Sequence, residues 1–162
     1  MASDQQQHLY ELLKDFSAAM MITSVGQNSM RARPMAIAEL EPGADAYFAT
    51  SIDSRKIDEI ERNPHVLLTF QGPTQFAAVR GTIEVVRDRT LIAKMWREAW
   101  RAWFPKGKDD RSLCLLRFAA ENGEYWDNAG SNALKYAFEA AKAYATGKTP
   151  KTDETQHGKV TL

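Results

Sequence analysis

Residues 20–50 read MMITSVGQNSMRARPMAIAELEPGADAYFAT, and the punctuation of this stretch decides the fold. Met20 to Val25 is a short apolar run of β-compatible residues, Gly26-Gln27-Asn28-Ser29 is turn chemistry, and Arg31 to Leu40 is a second extended segment. That pair reads as a hairpin. Glu41-Pro42-Gly43-Ala44-Asp45 turns the chain again into a third strand, Ala46 to Thr50. Three consecutive strands joined by tight turns predict an antiparallel meander.

Working outward, Ser3 and Gln6 have capping-box spacing, and Leu9, Leu12, Leu13 and Phe16 follow at helical intervals, so the N-terminus is an amphipathic helix. On the other side, Ser54 to Arg62 is a short helix with Ile57 and Ile60 on one side, stopped by Asn63-Pro64. Strand patterns return at Val66 to Phe70 and Phe76 to Val86, where Gly81 marks a bulge or a tight bend. Asp88 caps a helix whose apolar stripe runs through Leu91, Ile92, Met95, Trp96, Ala99, Trp100 and Trp103. Two further strands, Leu113 to Phe118 and Glu124 to Asp127, flank the turn Asn122-Gly123. An alanine-rich helix from about Asn132 to Tyr144 presents Leu134, Phe138 and Ala141 at i, i+4 and i+7.

About seven mostly consecutive strands with isolated helices predict an α+β fold, a small closed or nearly closed antiparallel barrel with helices at its margins, because closure removes exposed edges. From Gly147 to Lys159 no large apolar side chain occurs. The expected division is therefore one domain over 1–146 and a polar tail over 147–162, flexible or draped on a partner.

The 162 residues carry 21 Lys+Arg against 21 Asp+Glu, a formal charge of zero. Counterion release needs a dense basic field, so nucleic acid is not an expected partner. A single cysteine, Cys114, forms no internal disulfide, which fits a reducing compartment. Met1 to Gln7 lacks the basic start and apolar segment of a secretory signal, and no apolar run is long enough to span a membrane. The expectation is a cytoplasmic protein without a membrane partner.

The chemistry concentrates in Tyr47-Phe48-Ala49-Thr50-Ser51-Ile52-Asp53-Ser54-Arg55-Lys56, a strand, a hydroxyl-rich connection and a helix start with two cations. Cations there oppose the helix macrodipole. Either Asp58 and Glu59 compensate on a solvated helix, or a dianion docks on the N–H groups, hydroxyls, Arg55 and Lys56 as in a phosphate socket. Arg31 and Arg33 share one strand face, and Pro34 puts that strand at an edge or bulge. They are exposed arginines or part of the same anion site. Trp96, Trp100 and Trp103 read as packing; Trp126, beside Glu124, Asp127 and Asn128, packs in the core or covers a flat ligand. His8, His65 and His157 are scattered and no Cys pair exists, so no protein-built metal site is expected. Cys114 reads as a buried strand thiol. Without a metal cluster or nucleophile, difficult chemistry has to come from a borrowed cofactor.

Taken in order, Arg33-Pro34-Met35, the Thr50-Ser51 to Ser54-Arg55-Lys56 block, Asn63-Pro64-His65-Val66 and Val79-Arg80-Gly81-Thr82-Ile83-Glu84-Val85 resemble the flavin-binding split-barrel superfamily of pyridoxamine 5′-phosphate oxidase. Trp103-Phe104-Pro105-Lys106-Gly107 and Tyr125-Trp126-Asp127 look like its general stress protein 26 branch. The resemblance implies a homodimer of Greek-key-like split barrels with FMN, or FAD, at the subunit interface. It implies that Ser54, Arg55 and Lys56, with Thr50 and Ser51, hold the flavin phosphate, and that Arg33, Pro34, Met35 and Ala36 run along the flavin edge. Trp126 would close the pocket from the opposite subunit. Ala38 stands where the oxidase has lysine, Phe76 with Gln75 where it has glutamine, and its C-terminal substrate motifs have no counterpart in 128–162. Pyridoxamine phosphate is thus not the expected substrate, and no catalytic residue is named. Three functions follow: a flavin-dependent oxidoreductase, a non-catalytic flavin-storage or stress protein, or a haem-binding barrel with His65 as the nearby ligand.

Overall fold

The computed structural model describes residues 2–162; Met1 lies outside them. Its elements are α1 (Asp4–Leu13), β1 (Ala18–Gly26), β2 (Ser29–Ala36), β3 (Glu39–Leu40), β4 (Ala46–Ser51), α2 (Arg55–Arg62), β5 (His65–Gln71), β6 (Gln75–Val86), α3 (Arg89–Met95), β7 (Leu113–Asp127), α4 (Ser131–Thr146) and β8 (His157–Thr161). Two 3₁₀ helices, Glu98–Ala102 and Gly107–Asp109, lie between α3 and β7.

All strands join one antiparallel sheet in the order β2-β1-β5-β6-β7-β4-β3, with β8 added on β7. The two ends of that order, β2 and β3, are neighbours in sequence, separated only by Ile37 and Ala38. Such a connection reaches at most about 11 Å, so the sheet has to roll until its ends meet. The seam is visible in two consecutive amides: Ile37 donates to the Ser17 carbonyl (2.9 Å), beside β1, and Ala38 to the Tyr47 carbonyl (2.7 Å), in β4. This is the split barrel. The β1–β2 hairpin forms as expected, and the expected second strand is broken at Ile37-Ala38, so that only its end, β3, pairs with β4 across the next turn, while the other edge of β4 pairs with β7.

Met21, Phe48, Leu68, Val79, Leu116, Phe118 and Tyr125 fill the interior, and Leu9, Leu12 and Leu13 of α1 pack on it. The capping box is present, with Gln6 N donating to Ser3 Oγ (3.1 Å) and Ser3 N to Gln6 Oε1 (2.6 Å). Asn122-Gly123 does not turn the chain. Instead β7 runs unbroken along β6, and the register slips between Arg80↔Asn122 and Gly81↔Ala120, leaving Glu121 as the extra residue of a bulge. Gly81 is needed there, since an added Cβ would overlap the Ala119 carbonyl oxygen.

The tryptophan helix is shorter than its stripe predicts. At Trp96 the chain becomes extended (ψ 134°), ending α3 at Met95. That bend lets Arg97 donate to the Ala38 carbonyl at the seam and sets Phe104 against Tyr47, Ile92 and Leu115, contacts a straight helix would carry away from the barrel. Trp96 and Trp100 still pack edge to face, whereas Trp103 is 74% exposed.

The expected tail over 147–162 is corrected: it folds back and belongs to the sheet. β8 pairs with β7 from Asn122↔Thr161 to Trp126↔His157, and Gln156 and Val160 are buried. Tyr125 lies against Gly158 and donates its hydroxyl to the Glu154 carbonyl. The segment's polarity concealed a strand because its two inward positions are Val160 and a glycine. Between them, α4 is held by polar bonds (Lys135 Nζ to Asp153 Oδ2, 2.9 Å; Asn132 Nδ2 to the Thr155 carbonyl, 2.9 Å), and its Leu134, Phe138 and Tyr144 face solvent. Among the described residues no helix is long and apolar enough to cross a membrane.

A strand that buries Val160 and pairs along five residues contributes to stability. Val160→Asp is expected to lower unfolding free energy by about 2 kcal/mol or more, read by urea denaturation; a mobile tail would leave the transition unmoved.

Candidate functional site

The connection from β4 to α2 is built from the chain's own turn bonds. Ile52 N donates to the Ser112 carbonyl (2.7 Å), Ser54 N to the Ser51 carbonyl (3.1 Å) and Ile57 N to the Ser54 carbonyl (2.9 Å), while Ile57 and Ile60 anchor α2 in the core. Ser54 is the N-cap but makes no side-chain capping bond. Lys56 folds back over it, donating from Nζ to Ser54 Oγ (2.7 Å) and Thr50 Oγ1 (2.9 Å). Both acceptors are neutral, and among the described residues no carboxylate pairs with this ammonium. Burial, with the Arg33 charge adding to it, pushes the Lys56 pKa below the ordinary lysine value. Arg55 is exposed at the same helix start. Thr50, Ser51, Ser54, Arg55 and Lys56 thus lie together, with hydroxyls and two cations at a positive helix end. The donor set fits a phosphate dianion.

Glu59 makes no ion pair with these cations, although its charge reaches Lys56. It is 8% exposed and turns to the strands, accepting from Thr23 Oγ1 (2.6 Å), Arg31 Nη1 (2.5 Å) and Arg33 Nη2 (2.5 Å); Arg33 Nη1 also donates to Thr23 Oγ1 (2.6 Å). Burial alone would raise the Glu59 pKa, but the Thr23 bond and the two guanidinium charges outweigh it and hold the carboxyl below its ordinary range. The arginine pair is thus held in a carboxylate clamp, with Arg31 half exposed, and Asp53 and Asp58 remain exposed beside the helix start. The Arg33 guanidinium is thereby engaged by Glu59 and Thr23. β2 is an end strand, as Pro34 predicted, with Met35 buried and Pro34 and Ala36 exposed.

Trp126 is not brought to the socket within one chain. Thr50 pairs with Cys114, and Trp126 lies twelve residues further along β7, roughly 40 Å of strand. There it stacks on His157 (5.4 Å, 12°) and pairs with Phe76, with Gln75 opposite Asp127. His65 is exposed at the start of β5, not in the core, while His8 and His157 pair with Asp127 and Glu124. Cys114 is buried, its thiol pushed up to about 11 by burial. The sequence named Glu59 only as a compensating charge on a solvated helix and did not point to Thr23; the available signal was a carboxylate at helical spacing from Lys56 on the apolar side of α2.

Breaking this clamp leaves arginines without their carboxylate, so Glu59→Gln is expected to cost about 3 kcal/mol. Because the folded carboxyl titrates below its ordinary value of 4.5, its contribution is complete above that pH and disappears as pH falls through the lowered value. Denaturation measured from pH 7 to pH 3 should show this loss in the wild type and not in the variant.

The chain is similar to known proteins in both sequence and structure. The sequence profile of the family described as pyridoxamine 5′-phosphate oxidase like matches residues 4–151. Protein bli-3 of Neurospora crassa is 36% identical over 127 residues, covering 72% of this chain and 60% of the relative. General stress protein 26 of Bacillus subtilis is 32% identical over 85 residues, covering 49% and 60% respectively. The matched region thus spans 60% of the length of these curated relatives. A crystal structure assigned to general stress protein 26 of Jannaschia sp. CCS1 superposes with a TM-score of 0.75 at 24% identity, covering 99% of this chain and 100% of that one, a likeness of fold. The general stress FMN/FAD binding protein of Xanthomonas citri gives 0.66 at 26% identity, covering 80% and 92%. With a rolled antiparallel sheet of this topology and a profile match over nearly its whole length, the chain belongs to the pyridoxamine 5′-phosphate oxidase-like family.

Proposed function

We propose that this chain is a flavin-binding protein of the general stress type, taking FMN or FAD by its phosphate at Ser51, Ser54, Arg55 and Lys56, with Thr50 beside them. The observation that carries this reading is Lys56, a partly buried ammonium at a helix start that meets only hydroxyls. Similarity to an FMN/FAD binding protein supports the choice of ligand. When bound, the flavin supplies electron transfer between a reductant and an acceptor. The protein's part is to hold the phosphate, to lay the backbone of Arg33 to Ala36 along the ring, and to keep water from it. Pyridoxamine phosphate oxidation is not assigned, since α4 and β8 occupy the region where the oxidase carries its substrate motifs. We place the protein in the cytoplasm, in keeping with its single unpaired thiol.

The double variant Arg55→Ala/Lys56→Ala should weaken FMN binding by about 3 kcal/mol or more, as loss of charge-assisted phosphate contacts does, and leave riboflavin affinity nearly unchanged in fluorescence titrations. Equal loss for both ligands places the phosphate elsewhere. Lys56 is charged below its depressed pKa, so FMN affinity falls as pH rises through that value, earlier than for an ordinary lysine at 10.5; Lys56→Arg removes this early fall. Bound flavin bleached by NADPH no faster than free flavin would make storage, not electron transfer, the role.

The functional unit is proposed to be a homodimer with the flavin at its interface. Two features support it: the socket and Trp126 lie too far apart to meet within one chain, and the apolar stripe of α4 is uncovered, with Leu134 76% and Phe138 68% exposed. Leu134→Glu/Phe138→Glu should convert the dimer to monomer in sedimentation velocity and weaken FMN binding at least tenfold. A monomeric wild type contradicts the dimer.

A further inference from the structure

Behind the socket, where β7 begins, lies a second cavity of about 160 Å³ lined by Ile52, Arg87, Arg89, Arg111, Leu113 and Cys114. Its floor is apolar and its rim carries three guanidinium groups. A volume of this size is below the ~300–1,000 Å³ that encloses a whole drug-sized ligand, so it takes part of one. The rim cations are poorly neutralised. Arg89 donates to the carbonyls of Leu113 (2.9 Å), Lys108 (2.6 Å) and Asp110 (3.0 Å), which pin the chain but carry no charge. Arg87 meets Glu61 at 3.4 Å with both side chains more than half exposed, a pair worth little. Arg111 has no carboxylate partner among the described residues, since the adjacent Asp110 is engaged by Ser112 N (3.1 Å) and Ser112 Oγ (2.8 Å). The surrounding segment concentrates charge as well: 8 of the chain's 21 Lys+Arg fall between Arg87 and Arg111, against four acidic residues.

The cavity lies next to the socket. Ile52 belongs to the β4–α2 connection, and Cys114 sits opposite Thr50 with its Sγ 3.5 Å from the Thr50 carbonyl. Lys56 bonds Thr50 Oγ1, and Thr50 is the strand partner of Cys114 in the cavity wall, so the arginine cavity begins one residue pair from the socket.

From this geometry we infer that the arginine cavity is an adenylate subsite: the second phosphate of FAD meets Arg87 and Arg111, and the adenine lies on Ile52 and Leu113 under a guanidinium plane. An apolar floor with a planar cationic rim suits a purine nucleotide, because guanidinium groups both pair with phosphate and stack on aromatic rings. The inference rests on the flavin reading above and extends it, since FMN leaves this cavity empty and FAD fills it.

The test compares FMN and FAD affinities, by flavin-fluorescence titration, in the wild type and in Arg87→Gln/Arg111→Gln. Both positions are exposed and make no backbone bonds, so the variant should keep its thermal midpoint, and Arg111→Gln alone serves if it does not. FAD affinity is expected to fall tenfold or more while FMN affinity stays within twofold, and 5′-AMP should compete with FAD but not with FMN. Equal change for the two flavins, or no change for either, overturns the subsite while leaving flavin binding intact. A wild type that binds neither flavin removes the flavin reading and the subsite together.

Discussion

A two-residue crossing governs this molecule. Ile37 and Ala38 carry the chain from one end of the sheet order to the other, and consecutive amides bond to opposite ends. A connection that short cannot bridge an open sheet. The seam therefore forces the roll that sets the end of β4 beside the start of α2 and brings β1 and β2 under the same helix. Arg97, reaching from beyond α3 to the Ala38 carbonyl, fastens the crossing from outside, and the early end of α3 is a consequence.

Once the sheet is rolled, the charges of the region separate into two groups. One buried carboxylate, Glu59, engages Arg31, Arg33 and Thr23 and ties α2 to both strands of the first hairpin. Of its two ion pairs, the one to Arg33, whose side chain is 17% exposed, matters more than the one to the half-exposed Arg31. Lys56 is left with hydroxyls, at a helix end where its own charge is disfavoured. Burial lowers the pKa of an ammonium so placed and an arriving anion would raise it again, so the fold keeps a site that a phosphate improves. The same separation leaves the Arg33 guanidinium occupied by a carboxylate, although its residue type suggests a phosphate ligand.

Much of the architecture was legible in the sequence because local chemistry and tertiary structure agree there. The capping box at Ser3, the hairpin at Gly26 to Ser29, the stop at Asn63-Pro64 and the bulge at Gly81 all form where their residue types place them. Disagreements arose where long-range pairing overrode a local signal. Asn122-Gly123 stays extended because β6 continues on both sides of it, and the polar C-terminal segment becomes a strand because β7 offers an edge and Tyr125 needs a cover. At the site, the cluster from Thr50 to Lys56 was readable as one contiguous block. The clamp of Glu59 was not, since its partners Thr23, Arg31 and Arg33 lie some thirty residues away in sequence, and the cavity rim at Arg87, Arg89 and Arg111 is assembled from both ends of the segment between β6 and β7.

The central claim is the location of a phosphate, and a crystal structure of the protein grown with FMN tests it most directly. The account predicts phosphate density against Ser51, Ser54, Arg55 and Lys56, with Glu59 still clasping Arg33. Phosphate bound by an Arg33 that has left Glu59, or density confined to another part of the barrel, would contradict it.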